Sequence, residues 1–232
     1  MPVQGQPRRI VVGITGASGA LLGVQLLRLL RDLPGVESHL VVSDAGWLTL
    51  RHETDLSRQE LIALAHRHYG CAEIGAAIAS GSFVTGGMVI APCSMRSLAA
   101  VAHGLADNLL TRAADVTLKE RRPLVLLARE APLNLAHLRN MLAVTEMGGI
   151  IFPPVPAYYR QPQTLQEATL HTAQRVLHLL GLGAGALGAA DEAPAPDAAA
   201  WQWQGLTAQR APAISASPAE HAASAVAASA KP

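Results

Sequence analysis

The feature that most constrains this chain is its rhythm. Short aliphatic runs alternate with longer stretches whose apolar residues recur at helical spacing. Arg9–Ile14 reads as a buried strand, a Gly-rich turn follows, and the pattern from Gly19 to Leu33 predicts a helix. Val36–Ser43 is strand-like. Residues 44–52 and 57–68 read as helices, the second with Ser57 as its N-cap. Met88–Ala91 predicts a strand that ends in Pro92-Cys93-Ser94. Helical patterns follow at about 95–103 and 107–121, then a strand at Leu124–Leu127 and a helix over 134–146. Gly149–Phe152 completes the strands, and 164–181 is the last helix. Elements of these lengths in this order build βαβ units, so the chain is expected to be an α/β protein with a mostly parallel sheet.

Such a sheet takes ligands in the crevice beyond the carboxyl ends of its strands. The unusual residues of this chain gather there. Thr15-Gly16-Ala17-Ser18-Gly19 follows the first strand, Ser43 ends the second, and Pro92-Cys93-Ser94 follows Met88–Ala91. Arg129-Glu130 comes after Leu124–Leu127, and the Pro-rich segment Pro153–Pro162 after the last strand. No internal repeat interrupts the pattern.

Composition narrows the function. Hydrophobic residues make up 50% of the 232, enough for a sizeable core, while aromatics are only 3%, so Ala, Leu, Val and Ile must fill it. A net charge of +1 with both signs dispersed argues against a nucleic-acid surface. Cys71 and Cys93 form no CxxC pair, so neither a zinc site nor a disulfide framework is indicated. The polar start Met1–Arg9 shows no signal peptide, and no apolar run approaches the ~20 residues of a membrane span. A cytoplasmic protein is expected. The reading assigns 1–8 to a disordered N-terminus, 9–182 to the folded domain, and 183–232 to a low-complexity Ala/Pro-rich tail, mostly disordered. Within that tail Trp201-Gln202-Trp203-Gln204-Gly205 reads as a docking segment.

Several residues suit specific chemistry. Gly16-Ala17-Ser18-Gly19 between strand and helix offers close backbone approach and helix-start N–H groups for a phosphate, but lacks the G-x-G-x-x-G spacing of dinucleotide enzymes. Asp44 stands where such enzymes place a ribose-binding acid, and Ser43 is equally able to bond a flavin. Ser94 serves as a helix cap or a phosphate ligand, or both. Arg112, Lys119, Arg121 and Arg122 read as an ion-paired helical face with Asp115 and Glu120. Arg129 suits a phosphate because its planar fork bonds two oxygens. Tyr159 either bonds an oxyanion or packs under its loop, and Arg175 faces the same choice. His103 and His137 read as structural.

These segments together resemble the UbiX family of flavin prenyltransferases. The resemblance rests on Gly16-Ala17-Ser18-Gly19, on Ser43 followed by Glu53-Thr54-Asp55, on Ala79–Phe83, and on Pro92-Cys93-Ser94. It continues from Arg112–Val116 through Lys119–Leu126 to Arg129-Glu130, then His137-Leu138, Asn140-Met141, Pro153–Tyr159 and Arg175. It covers about residues 9–182. It implies a Rossmann-like, flavodoxin-like three-layer sandwich assembled into a homo-oligomer, a dodecamer, with sites completed by neighbouring subunits. The implied reaction attaches a dimethylallyl group from dimethylallyl phosphate to reduced FMN, without a metal, making prenylated FMN for a UbiD-type decarboxylase in ubiquinone synthesis or aromatic acid decarboxylation.

The resemblance carries roles to individual positions. Gly16, Ala17, Ser18, Ser43, Ser94, Met95, Arg96, Ser97 and Arg129 match FMN-binding positions. Tyr159 and Arg175 match positions that hold the donor phosphate, with Lys119, Arg129 and Glu130 beside it. Lys119, Glu130 and Tyr159 are the expected catalytic set, and Glu53 and Arg112 match further polar residues of the site. Trp203 matches an aromatic segment that closes over it. The family often has Tyr where Leu22 stands and Thr where Ser97 and Ala131 stand. Two other readings are an FMN-dependent decarboxylase of cysteinyl substrates, whose Met-Trp loop this chain lacks, and a non-catalytic FMN-binding subunit. A dinucleotide-binding Rossmann protein is a further one.

Overall fold

The β-branched and aliphatic runs do form strands, and they assemble into one six-stranded parallel sheet. The structure, a computed structural model, describes residues 7–182. The expectations for the tail 183–232, for Trp203 with its docking segment and for residues 1–6 of the N-terminus lie outside that range, while Arg8, read as part of the disordered stretch 1–8, is the first residue of a strand. In chain order the elements are β1 (Arg8–Ile14), α1 (Ala20–Arg31), β2 (Val36–Val42), α2 (Asp44–Glu53), α3 (Arg58–Ala63) and β3 (Arg67–Tyr69). Then come β4 (Gly87–Cys93), α4 (Met95–Ala102), α5 (Leu109–Lys119), β5 (Leu124–Ala128), α6 (Leu135–Glu146), β6 (Ile150–Ile151) and α7 (Leu165–Leu179). Single 3₁₀ turns lie at Ala77–Ala79 and Tyr158–Arg160.

The strand order is β3-β2-β1-β4-β5-β6. Alternation along β1 sends Ile10, Val12 and Ile14 into one core and Val11 into the other. The first core lies under α1, α7, Leu50 of α2 and Leu61 of α3. The second lies under α4, α5 and Val144 of α6. The result is the three-layer α/β sandwich expected of the chain. Close packing of α1 onto the sheet depends on Gly23, where a Cβ would come within 2.6 Å of the Ala91 carbonyl oxygen. Leu26, Leu27 and Leu30 of α1 are fully buried, each contributing about 1.5–3 kcal/mol.

One expectation fails. The helix over 57–68 stops at Ala63, and Arg67–Tyr69 is instead an edge strand paired with β2 through His39↔Arg67, Leu40↔His68 and Val41↔Tyr69. The Ser57–Glu60 capping box starts α3 as expected, but tertiary pairing takes over after Leu64. The Tyr69 hydroxyl and His39 Nδ1 are 3.0 Å apart with their rings stacked, and His66 Nδ1 accepts the Ser38 N–H at 3.1 Å. Non-local partners outweigh a local periodicity that spans less than two turns. The helical stretch of 107–121 is also shorter: Asn108 caps α5, and Arg121, at φ 56°, has already left it. Among the described residues no helix is long and apolar enough to cross a membrane.

Candidate active site

The strand order sets the location. Connections from β1 run towards β2 and β3, whereas β4, β5 and β6 lie on its other side, so the crevice opens between the carboxyl ends of β1 and β4. Their ladder runs from Ile10↔Gly87 to Gly13↔Ile90, where the regular pairing ends. The Thr15 hydroxyl bridges the gap: it donates to the Pro92 carbonyl at 2.7 Å and accepts the Ser94 N–H at 2.8 Å. On either side, the Ser43 N–H reaches the Ile14 carbonyl at 3.0 Å and the Arg129 N–H the Cys93 carbonyl at 3.1 Å. Four loops thus share one tied floor.

The first loop is held against α2. A Cβ on Gly16 would stand 2.5 Å from the Cβ of Ala45, so this position requires glycine. The Thr49 hydroxyl donates to the Gly16 carbonyl at 3.2 Å. Gly19 adopts φ 106°, the left-handed conformation that lets α1 start here. The phosphate expected at this helix start meets a competitor. The N–H groups of Gly19 and Ala20 both donate to Glu53 Oε2, each at 2.8 Å, which places a carboxylate where the helix dipole favours an anion. Burial alone raises the Glu53 pKa, but the bonds from Ser18, Ala20 and Gly19 and the charge of Arg129 outweigh it and hold the carboxyl below its ordinary value. The N–H groups of Gly16, Ala17 and Ser18 have no partner among the described residues.

The β4 loop offers a second set of donors. Ser94 caps α4, its Oγ accepting the Ser97 N–H at 3.3 Å and donating to the Ser97 hydroxyl at 3.2 Å. That leaves the Ser97 hydroxyl proton and the N–H groups of Met95 and Arg96 without partners among the described residues. The Arg96 side chain pairs with Asp107 at 2.8 Å, so its backbone rather than its guanidinium is what the site gains. The Ser43 Oγ accepts the Gly46 N–H at 3.1 Å, which leaves its own proton to donate. Asp44, the alternative ribose ligand, lies in the first turn of α2.

Ser18, Gly19 and Arg129 line a cavity of about 150 Å³ with Leu22, Pro154, Pro156, Leu165, Ala168, Thr169 and Thr172. Glu130 follows Arg129 on the exposed rim, its carboxylate accepting the Ala131 N–H at 3.0 Å. Tyr159, 53% exposed, lies in the 3₁₀ turn before α7. Arg175 is on the exposed side of α7.

Lys119 and Arg112 are not brought to this crevice. Helix α5 starts beside Cys71, just past the end of β3, and finishes at the opposite, amino edge of the sheet. There Lys119 pairs with Glu120, Glu120 lies 3.7 Å from Arg122, and Arg122 donates to the carbonyls of Gly81 and Phe83, shortly before β4 begins. Arg112 bonds Asp115 at 2.7 Å and the Ala79 carbonyl at 3.2 Å. His137 is the N3 partner of Asn134 in the capping box of α6, and His103 bonds Asn140 at 3.2 Å. Among the described residues no group of three or more His, Cys, Asp or Glu side chains is placed to hold a metal ion.

Residue-by-residue reading assigned no role to Thr15, nor the cap of α1 to Glu53. The only sequence signal for Thr15 is a hydroxyl directly after an apolar strand. For Glu53 there is none, since its partners are 33 and 34 residues away.

Comparison with known proteins agrees with this geometry. The family model described as Flavoprotein matches residues 2–179. The chain is 54% identical over 195 residues to the flavin prenyltransferase UbiX of Neisseria meningitidis serogroup B, covering 84% of this chain and 97% of that protein. Among solved structures, AnUbiX (PadA1) in complex with FMN and dimethylallyl pyrophosphate superposes with a TM-score of 0.75 at 45% identity, covering 81% of this chain and 99% of the other. A dodecameric FMN-dependent UbiX-like decarboxylase from Escherichia coli O157:H7 gives a TM-score of 0.74 at 49% identity, with coverage of 75% and 94%.

Proposed function

The chain belongs to the flavoprotein family and, within it, to the UbiX-type flavin prenyltransferases, and on that premise we propose that it is a cytoplasmic enzyme transferring a dimethylallyl group from dimethylallyl phosphate to reduced FMN. The observation that carries this reading is the tied crevice between β1 and β4. Two loops there carry backbone N–H groups and serine hydroxyl protons that have no partner among the described residues, which suits a phosphorylated planar ligand.

The donor set fits FMN. Because Glu53 occupies the start of α1, an anionic phosphate is repelled there and is better received by the Met95 and Arg96 amides at the start of α4, with Ser43 and Ser97 donating their hydroxyl protons. The Gly16–Ser18 backbone then lies along the ligand, with no Cβ at Gly16 to hold it off.

Reduced FMN is a substrate here and supplies a nucleophilic N5 and the ring carbon C6. In the donor, the bond from the allylic carbon to the phosphate oxygen breaks, and the phosphate leaves with the electron pair. Arg129, Arg175, Lys119 and Tyr159 hold that phosphate, and their bonds strengthen as its charge grows. The N5–carbon bond forms as the carbon–oxygen bond breaks, with loss of the N5 proton. Ring closure then needs a proton delivered to the prenyl double bond and one removed from C6, roles for Glu130 or the departed phosphate as acid and base.

Lys119 and Arg112 act in the site of a neighbouring copy. The position of Lys119 at the amino edge of the sheet supports this, as do the engagement of Arg112 with Asp115 and the Ala79 carbonyl away from the crevice and the dodecameric state of the similar protein. The product is a prenylated flavin for a UbiD-type decarboxylase.

Anaerobic incubation with reduced FMN and dimethylallyl monophosphate, followed by mass analysis of the released flavin, tests the activity. A flavin heavier by one isoprenyl unit is the expected result. Unmodified flavin, with FMN bound and donor intact, overturns it.

A further inference from the structure

The two FMN-facing loops belong to strands that part company at the crevice, and something must fix the gap between them. The β1–β4 ladder ends at Gly13↔Ile90, and β4 is irregular against β5 between Ile90 and Cys93. Past that point β1 and β4 no longer pair in register with each other, although Ile14 still pairs with Val42 and Cys93 with Ala128. The link between the two strand ends there is made by Thr15. Thr15 is 1% exposed, and its hydroxyl both donates to the Pro92 carbonyl and accepts the Ser94 N–H. Its backbone N–H also reaches Pro92, at 3.3 Å.

The consequence reaches the ligand-binding groups on both sides. Thr15 is covalently joined to Gly16, the start of the first loop. Ser94, held by the Thr15 hydroxyl, is the cap that sets the first turn of α4 and with it the amides of Met95 and Arg96. We propose that Thr15 is a positioning residue for the flavin, its hydroxyl setting the distance between the Gly16–Ser18 backbone and the start of α4. This role rests on FMN being the ligand of the crevice. A hydroxyl is required because a single atom must serve as donor to Pro92 and acceptor from Ser94, which neither an aliphatic side chain nor an amine can do in a buried site.

Thr15→Val keeps the shape and removes both bonds, and Thr15→Ser keeps both bonds. FMN affinity of the folded proteins is measured by quenching of flavin fluorescence, with folding checked by circular dichroism. Thr15→Val is expected to weaken FMN by about tenfold or more, and Thr15→Ser to stay within about threefold of the parent. A folded Thr15→Val protein that binds FMN as tightly as the parent overturns the proposal, even if its melting temperature falls, because that outcome is a purely structural role. If Thr15→Val does not fold, Thr15→Cys, with its weak donor and acceptor, replaces it. Binding equal to that of Thr15→Ser refutes the proposal, and binding weaker by about threefold or more supports it. A parent protein that binds no FMN at all overturns the flavin reading, and this role with it, whereas loss confined to the variants concerns Thr15 alone.

Discussion

Replacing Glu53 by alanine removes the cap of α1, and the cost follows from the contacts. Two N–H groups, of Gly19 and Ala20, lose a carboxylate acceptor at 2.8 Å. Ala20 is fully buried, so water replaces that acceptor poorly. Loss of a side-chain cap costs about 0.5–2 kcal/mol, and loss of a negative charge at a helix start adds about 0.3–1 kcal/mol. The sum is about 1–2 kcal/mol once solvent screening at this partly exposed site is allowed for. For a chain of this size that lowers the melting temperature by about 2–8 °C. The pH dependence is the sharper test. The folded pKa of Glu53 lies below its ordinary value of 4.5, so its contribution is complete above about 4.5 and is lost as pH falls through the lowered folded value. Melting of the FMN-free parent and Glu53→Ala, at equal protein concentration, is therefore compared at neutral pH and at successively lower pH. The gap between them should be widest at neutral pH and narrow on acidification. Equal melting temperatures at neutral pH, or a gap that widens in acid, would refute the reasoning.

Three further outcomes follow from the site. Gly16→Ala drives a Cβ to within 2.5 Å of the Ala45 Cβ and should weaken FMN by about tenfold or more, while Ala45→Gly in the same chain restores much of the affinity. Titration with FMN reads both, and no loss in the single variant would count against the close approach. Glu130→Gln should slow prenyl transfer while leaving FMN binding unchanged, and normal turnover in a single-turnover assay removes Glu130 from proton transfer. Lys119→Ala and Arg129→Ala should each be inactive alone, yet regain part of the activity when co-expressed, because mixed oligomers contain sites with both residues intact. No recovery in co-purified mixed oligomers means that the two residues do not complete one another's sites across chains.

Much of the fold was legible because its signals are local. The apolar runs of β1, β2, β4 and β5, the helical spacing of α1 and α7, and the caps Ser57 and Ser94 each act within a few residues. The failure at 57–68 has the same root: six residues of true helix are too few to set a period, and β3 exists only because β2 offers it an edge. The candidate site was legible in part. Its residues clustered after strand ends, where a parallel sheet must place them. Lys119 reads from the residues as part of an ion-paired helical face, and its pair with Glu120 agrees. Only the resemblance sets it beside Arg129, and within one chain the fold puts the two at opposite edges of the sheet.

By itself, the sequence determined the α/β class, the glycine at the first turn and the serine caps, because backbone conformation and capping depend on immediate neighbours. Only the tertiary structure decided that Glu53 fills the start of α1, that Thr15 ties two diverging loops, and that Arg96 turns to Asp107. The first two are bonds between groups that come together only when the sheet has formed, their partners chosen by strand order rather than by spacing, and the third depends on how the loop after α4 folds back.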